Sequence, residues 1–466
     1  MVAELEREVE ARSAVFKKEL GLLDLVLAQV VFVVGTIWVG WAAKLGYDQN
    51  AFWLIAIAAY YLPLAAAVIF LNRLAPLEGG LYQWAKLAFN DFIAFMVAWN
   101  LWVFAISILA GTGLVVTTNL SYAIGPRAAW MREQNTLITI ISILLVIGMV
   151  LASMRGLRVG KWLQNAGGAM LMMTFAALIL LPLLGIVRST VGEYRPFAFQ
   201  IPAFTAYNVN VASKMALGGL SGFEYIAILA GETKSPARNF GRSVMIAAPI
   251  IAVMFILGTS SVLAFVSPAN VDLIGPIPQV LSIGFGSYGW VGTIVSIAIL
   301  GVVMRTIALM SMYFTANTRL PMVAGWDRLL PAWFTRLHSK YKTPTNSILF
   351  VGAVTLVFGL LSLTGVQAQE AFQLLDNAGG VFYAITYLAL FAIPVVGMKA
   401  FGVRAPWWLK VACVSGFVTS VIYICFTIVP IISVTSRATF ALKIIATVVI
   451  ANAVGVTIYT LGKRKA

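Results

Sequence analysis

Charged residues, histidine and cysteine are scarce in this sequence, and their scarcity excludes most soluble and catalytic classes. Only 11% of the 466 residues are charged and 61% are hydrophobic, whereas a soluble domain carries about 25% charged residues. The single histidine, His338, and the two cysteines, Cys413 and Cys425, offer no metal-binding cluster. The sequence also lacks the G-x-x-x-x-G-K-S/T loop of nucleotide-binding proteins. We therefore expect no metal, no cofactor and no catalytic residues.

Uninterrupted apolar sequence is abundant instead. A bilayer-spanning helix needs roughly 20 apolar residues, whereas barrel strands are about 10 residues long and alternate in hydrophobicity. One stretch, residues 207–231, is apolar but contains Lys214 and Glu224. With it, the sequence predicts an all-α polytopic membrane protein with twelve transmembrane helices. The other eleven stretches contain no Asp, Glu, Lys or Arg: 25–43, 49–72, 92–126, 134–154, 162–187, 243–271, 273–304, 343–369, 377–398, 411–436 and 444–462.

The net charge of +15 could indicate a nucleic-acid partner, but its distribution favours a membrane topology. With both termini inside, 23 of the 32 Lys and Arg residues fall in cytoplasmic segments and seven in outer segments. This asymmetry is the positive-inside pattern of membrane proteins. We expect a multi-pass protein of the cytoplasmic (inner) membrane, with the lipid bilayer as its surroundings and no nucleic-acid partner. The sequence does not indicate an oligomeric state.

Two predicted spans contain glycine-centred weak points. The first span has Val34-Gly35-Thr36, and the sixth has Gly218-Gly219-Leu220-Ser221-Gly222. These spans begin successive groups of five helices, and transporters built from inverted repeats bind ligands where such paired helices break. Glycine also serves close helix packing in membranes, so the glycines alone leave both interpretations open.

Three motifs resemble those of the amino acid–polyamine–organocation (APC) superfamily, in the order in which that superfamily has them. The segment Gly222-Phe223-Glu224 continues into Glu232, Lys234, Pro236 and Arg238, which resembles the signature of the sixth helix. The other two motifs are Pro76, Glu78, Gly79, Gly80, Tyr82 and Trp84 after the second span, and Arg319, Trp326-Asp327, Leu330-Pro331, His338 and Thr343-Pro344 after the eighth.

The resemblance implies a LeuT-type fold, a 5+5 inverted repeat with broken helices 1 and 6 plus two extra helices. It implies a cytoplasmic N-terminal segment at residues 1–20, a ten-helix transport core at 21–398, and two additional helices with a short cytoplasmic C-terminus at 399–466. The implied function is alternating-access transport of a small molecule, an amino acid or a related amine, by a sodium-independent exchanger or uniporter. A proton-coupled amino acid or polyamine symporter is the alternative. A channel or an intramembrane enzyme is less supported, because the spans lack repeated charge rings and clustered polar catalysts.

The resemblance also implies where the substrate binds. In the family, the first helix breaks at a Gly-small-Gly-Ile-Phe motif whose amides bind the substrate carboxylate, but this sequence has Val34-Gly35-Thr36-Ile37-Trp38 and keeps one glycine. Glu224 is expected to stabilise the sixth-helix break, with direct amine binding as the alternative. The aromatic residues are candidates for a gate or a cation–π surface, or else for packing. The expected substrate-binding residues are Val34, Gly35, Thr36, Trp38, Trp102, Gly219, Ser221, Gly222, Phe223 and Tyr383.

Two cations lie within predicted spans. Arg305 is fourteen residues from Arg319, roughly 21 Å along a helix, and such a buried charge normally faces a cavity or a partner. It forms a structural ion pair, contacts an anionic substrate group, or replaces the ion that bridges helices 1 and 8 in sodium-dependent relatives. In the last case it should bond to carbonyls near residues 32–35. We expect Lys214 to extend to the outer interface or to line an outer vestibule.

Some proton-coupled relatives have a lysine in the fifth helix. The corresponding residues here are Ala169-Met170-Leu171-Met172. The absence of a lysine argues against proton coupling through that position.

Overall fold

Long apolar helices make up most of the part of the chain that the structure, a computed structural model, describes. The described residues are 20–75, 80–155, 157–189, 191, 194–222, 233–285, 291–326, 330–339, 341, 343–363, 367–432, 434 and 436–465. The helices are α1 (Leu22–Val33), α2 (Thr36–Ala43), α3 (Gly46–Leu74), α4 (Leu81–Ala88), α5 (Asp91–Ile124), α6 (Asn135–Met154), α7 (Leu157–Val187), α8 (Ala206–Lys214), α9 (Pro236–Phe265), α10 (Pro276–Phe285), α11 (Val291–Trp326), α12 (Thr345–Ser362), α13 (Ala368–Val396), α14 (Trp407–Phe426) and α15 (Arg437–Lys465).

The number of membrane-spanning helices among the described residues is consistent with the predicted twelve. Ten helices are long and apolar enough to cross a bilayer, and α1 with α2 forms one more span, bent by 41°. The sixth predicted span begins with α8, and its continuation at residues 223–232 lies outside the described residues. Residues 1–19 of the predicted N-terminal segment 1–20 lie outside them as well. The described residues form the all-α arrangement that the sequence predicts.

One predicted boundary differs from the structure. The charge-free run 273–304 was expected to form a single span, but it contains the short helix α10 and the start of α11, with residues 286–290 undescribed between them. Pro276 and Pro278 stand at the start of α10, where proline is compatible with a helix. The absence of charged residues therefore did not distinguish the membrane-spanning helix α11 from the short apolar helix α10 that precedes it.

The core is formed by α1, α5, α7, α11 and α13. Helix α11 packs against α5 and α7, whereas α13 packs against α5 and α14. Gly167 in α7 allows the close approach to α11, because a Cβ atom there would overlap the Cβ atom of Ala308, one turn from Arg305. Its neighbour Gly168 faces α1, where a Cβ atom would lie 3.3 Å from that of Leu27. The two glycines bring α7 against both helices at the depth of Arg305.

Candidate functional site

The first helix breaks between α1 and α2. Val34 has φ −78° and ψ 86°, and Gly35 has φ −79° and ψ 126°, so neither residue continues the helix. The last carbonyl groups of a helix lack intrahelical donors, and the same end carries the negative pole of the helix dipole. The break therefore places partly negative carbonyl oxygens that need a donor from outside the helix in the interior of the protein.

Arg305 binds these carbonyl groups. Its Nη2 atom donates to the carbonyl oxygen of Val31 at 3.0 Å and to that of Val34 at 2.6 Å. The side chain is buried, with 4% of its surface exposed. Val34 lies within residues 32–35, where one of the three interpretations of Arg305 expects a hydrogen bond, and Val31 lies just outside that range. The role of Arg305 as a substitute for an ion stays a prediction.

The chain after α8 leaves the helical conformation at the depth of the first break. A π-helical turn at Met215–Gly219 ends in Leu220 with φ −113° and ψ 19°. Gly222 has φ +125°, a conformation that side-chain-bearing residues rarely adopt. Its N–H donates to the Tyr387 hydroxyl at 3.3 Å, and a Cβ atom on it would lie 3.2 Å from that of Phe32. The two interrupted segments are thus in contact.

A cavity of about 130 Å³ lies between the two breaks. Aromatic rings form much of its wall: Phe104 stacks on Tyr383 with 3.7 Å between ring centroids, and Phe32 meets Tyr313 edge-on at 5.1 Å. Polar side chains from both breaks and from α5, α11 and α13 also line it, among them Thr36, Ser107, Ser221, Arg305, Thr306 and Asp376. A small molecule with an apolar part and charged or polar ends fits such a lining.

A buried charge cluster adjoins this cavity. Lys214 is fully buried, and its Nζ atom donates to Asn377 Oδ1 at 2.5 Å and to Thr427 Oγ1 at 2.9 Å. The ammonium group also lies 5.3 Å from the ring centroid of Trp41 and 5.2 Å from that of Tyr423. Its charge acts through space on Asp376, which lines the cavity.

Comparison with known proteins decides the family. The family model described as "Amino acid permease" matches residues 25–451, most of the chain. The chain belongs to the amino acid permease family. The permease is 24% identical over 391 residues to an uncharacterized transporter of Legionella pneumophila, with 81% of each chain covered. It is 23% identical over 398 residues to the branched-chain amino acid permease BcaP of Bacillus subtilis, covering 78% of this chain and 80% of that one.

A solved structure shows the same fold. MhsT, crystallised in complex with L-phenylalanine, superposes with a TM-score of 0.62 and 18% sequence identity. The match covers 87% of the permease and 97% of MhsT. At this identity the likeness establishes the LeuT-type fold of the permease.

The structure brings six of the predicted site residues to the cavity wall: Gly35, Thr36, Trp38, Ser221, Arg305 and Tyr383. Three others lie at the breaks and contribute through their backbone or through packing. Val34 offers its carbonyl oxygen to Arg305, Gly222 donates its N–H to Tyr387, and Gly219 would place a Cβ atom 3.2 Å from the Trp53 ring. Phe223 and Glu224 lie outside the described residues.

Trp102 does not line this cavity. Its ring stacks between Trp99, at 5.5 Å, and Phe350, at 5.6 Å, and it lines a separate apolar pocket with Pro331 and Phe334. Membrane depth was the reason for proposing Trp102, but depth alone does not determine which side of a helix a residue occupies. Its observed contacts are those of a packing residue.

The prediction for Lys214 was wrong, because the side chain is buried instead of reaching the outer interface. Asp376, which the sequence reasoning did not consider, lies beside it in the cavity wall. A run without charged residues excludes Asp376 and therefore begins at residue 377. The helix α13 begins nine residues before residue 377, at Ala368, so that Asp376 lies inside the helix. Two oppositely charged residues inside long apolar stretches were the available indication of this pair.

Proposed function

We propose that this permease is a secondary transporter that moves an amino acid or a related amine across the cytoplasmic membrane by alternating access. The cavity between the two helix breaks is its substrate site, with Gly35, Thr36, Trp38, Ser221 and Tyr383 among the binding residues. Membership of the amino acid permease family supports the substrate class, as does the relative BcaP, a branched-chain amino acid permease. We further propose that transport is independent of sodium, by exchange or uniport.

The observation that carries the sodium-independent mechanism is the pair of hydrogen bonds from Arg305 to the carbonyls of α1. A guanidinium group keeps its positive charge at any physiological pH. The guanidinium group of Arg305 therefore stays at the negative end of α1. By the resemblance to the APC superfamily, sodium-dependent relatives bind a sodium ion at this position. A second cation beside the guanidinium group would meet strong repulsion in this low-dielectric interior.

The first test is counterflow in proteoliposomes. The probes are labelled L-leucine, L-phenylalanine, L-lysine and putrescine. For each probe that the purified permease exchanges, the rate in sodium medium is expected to equal the rate in choline medium, because Arg305 takes the place of the ion. Protein-free liposomes give the background, and an imposed pH gradient tests the proton-coupled alternative. Sodium-stimulated exchange would contradict the proposed mechanism, and accumulation driven only by the pH gradient would favour proton symport.

We also propose that residues 21–398 form the transport core, that residues 399–466 add two helices, and that both termini are cytoplasmic. The excess of Lys and Arg in the corresponding loops supports this orientation. A fluorescent reporter fused after Ala466 is expected to fluoresce in cells, whereas an alkaline phosphatase fusion at the same site should be inactive. Phosphatase activity would place the C-terminus outside and contradict the proposed topology.

A further inference from the structure

One carboxylate in the cavity wall lacks a hydrogen-bond donor. Asp376 lines the cavity, and its buried Oδ2 atom has no hydrogen-bond partner in the part of the chain that the structure describes. A buried polar atom that stays unpaired destabilises a protein by about 1–3 kcal/mol, and more when it is charged. A carboxylate oxygen can accept hydrogen bonds from a ligand that enters this cavity.

Lys214 interacts electrostatically with Asp376 but does not donate a hydrogen bond to this oxygen. Its ammonium group is held by Asn377 Oδ1 and Thr427 Oγ1. Asn377 is itself fixed, because its Nδ2 atom donates to the carbonyl oxygen of Thr427 at 2.8 Å. Two neutral acceptors thus hold the ammonium group of Lys214, and neither of them is an oxygen of Asp376.

Arg305, the other cation at the cavity, is anchored at the broken end of α1. Its Nη2 atom donates to two carbonyl groups of α1, whereas its buried Nε atom has no hydrogen-bond partner among the described residues. On the opposite side, the N-terminus of α2 begins at Thr36, which lines the same cavity, and the start of a helix carries a partial positive charge. Among the described residues that line the cavity, Asp376 is therefore the acidic residue that a cationic part of a ligand can pair with.

We propose that Asp376 binds the ammonium group of the transported substrate and makes that group a requirement for binding. This inference rests on the proposed transport function. The substrate ammonium donates a hydrogen bond to Oδ2. Its positive charge adds to that of Lys214 in stabilising the negative charge of Asp376. Acids of the same shape without the amine leave Oδ2 unpaired and bring a second negative charge to the carboxylate.

The test compares ligands that differ by one amine. The probes are L-leucine against 4-methylpentanoate for the α-amine, and L-lysine against L-norleucine for the distal amine, with binding to the purified permease measured by thermal shift and by competition in counterflow. The variants are Asp376→Asn and Asp376→Glu. Glu370→Gln is the matched control, since Glu370 lies in the first turn of the same helix and does not line the cavity.

The wild type is expected to prefer the amine-bearing member of at least one pair. Asp376→Asn should weaken binding of that member by about tenfold to a hundredfold, the range expected for one hydrogen bond to a charged group. Asp376→Glu should retain part of the preference, and Glu370→Gln should retain all of it. Because Asp376→Asn leaves Lys214 without a balancing charge and can impair folding, the double variant Lys214→Met/Asp376→Asn, which keeps the site neutral, should show the same loss.

Three results would overturn the inference. The first is wild-type affinity of a folded Asp376→Asn variant, or of the double variant, for the amine-bearing probe. The second is an equal loss for both members of a pair, which would indicate a structural role. The third is unchanged affinity with a lost pH dependence of transport, which would make Asp376 a proton-binding group. If the wild type exchanges the probes and the variants give any of these results, only this inference is contradicted. If the wild type neither binds nor exchanges any probe, the proposed function is contradicted as well.

Discussion

Replacing Arg305 by alanine is expected to reduce substrate exchange by about a hundredfold or more. The substitution removes both hydrogen bonds to the carbonyls of Val31 and Val34. Each hydrogen bond to a charged group contributes about 1.5–3 kcal/mol, and each 1.4 kcal/mol corresponds to roughly tenfold in an equilibrium. The end of α1 would then lose the group that fixes the break, and the cavity wall at Gly35 and Thr36 would lose its position.

The measurement uses counterflow and ligand-induced thermal shift on Arg305→Ala, Arg305→Met and Arg305→Lys. Lysine keeps the charge but lacks the planar guanidinium group, so partial activity is expected. Met304→Ala is the matched control, because Met304 precedes Arg305 in α11 and its side chain is 36% exposed on the outside of the protein. Full activity of a folded Arg305→Ala variant would show that the contact with α1 is not needed for transport.

The spans and the first break could be predicted because they depend on local sequence. A helix that crosses the membrane must bury a long apolar stretch, and Gly35, in the segment that resembles the first-helix motif of the family, marked the weak point of the first span. The contact of Arg305 with the first helix could be predicted because the depth of Arg305 in the membrane follows from counting residues along one helix. At that depth, few groups can pair with a permanent positive charge. The broken end of α1 was the partner that the fold resemblance offered.

The charge cluster and the position of Trp102 could not be predicted because they depend on how helices are rotated about their axes. Lys214 reaches partners 163 and 213 residues further along the chain, and no periodicity within a single apolar span indicates such a meeting. Trp102 lies at the depth of the cavity but on the side of α5 that faces Phe350. In a helix that is apolar on all sides, the pattern of hydrophobic residues does not distinguish the cavity from other packing surfaces.

Trp38 gives the second large expected effect, because its indole ring lies between the two broken segments. A Cβ atom on Gly218 would lie 2.5 Å from Cζ2 and 2.8 Å from Cζ3 of Trp38. A Cβ atom on Gly35 would lie 2.6 Å from Nε1 of the same ring. Trp41 lies on another side of the ring, with 5.8 Å between the ring centroids. Any side chain at residue 218 must therefore displace the indole, and the cavity that Trp38 lines is the adjacent open space.

Gly218→Val is accordingly expected to weaken substrate binding by about tenfold to a hundredfold, since overpacking of this kind is unfavourable by about 1–3 kcal/mol. Trp38→Ala should open space for the new side chain, so the double variant Gly218→Val/Trp38→Ala should bind better than the sum of the two single effects predicts. Binding of labelled L-phenylalanine to the four proteins measures this coupling as a double-mutant cycle. Gly148→Ala is the matched control, because a Cβ atom on Gly148 in α6 would meet nothing within 4 Å. Additive effects in the cycle, or a loss as large in Gly148→Ala as in Gly218→Val, would mean that the ring of Trp38 does not connect the two breaks to the substrate site.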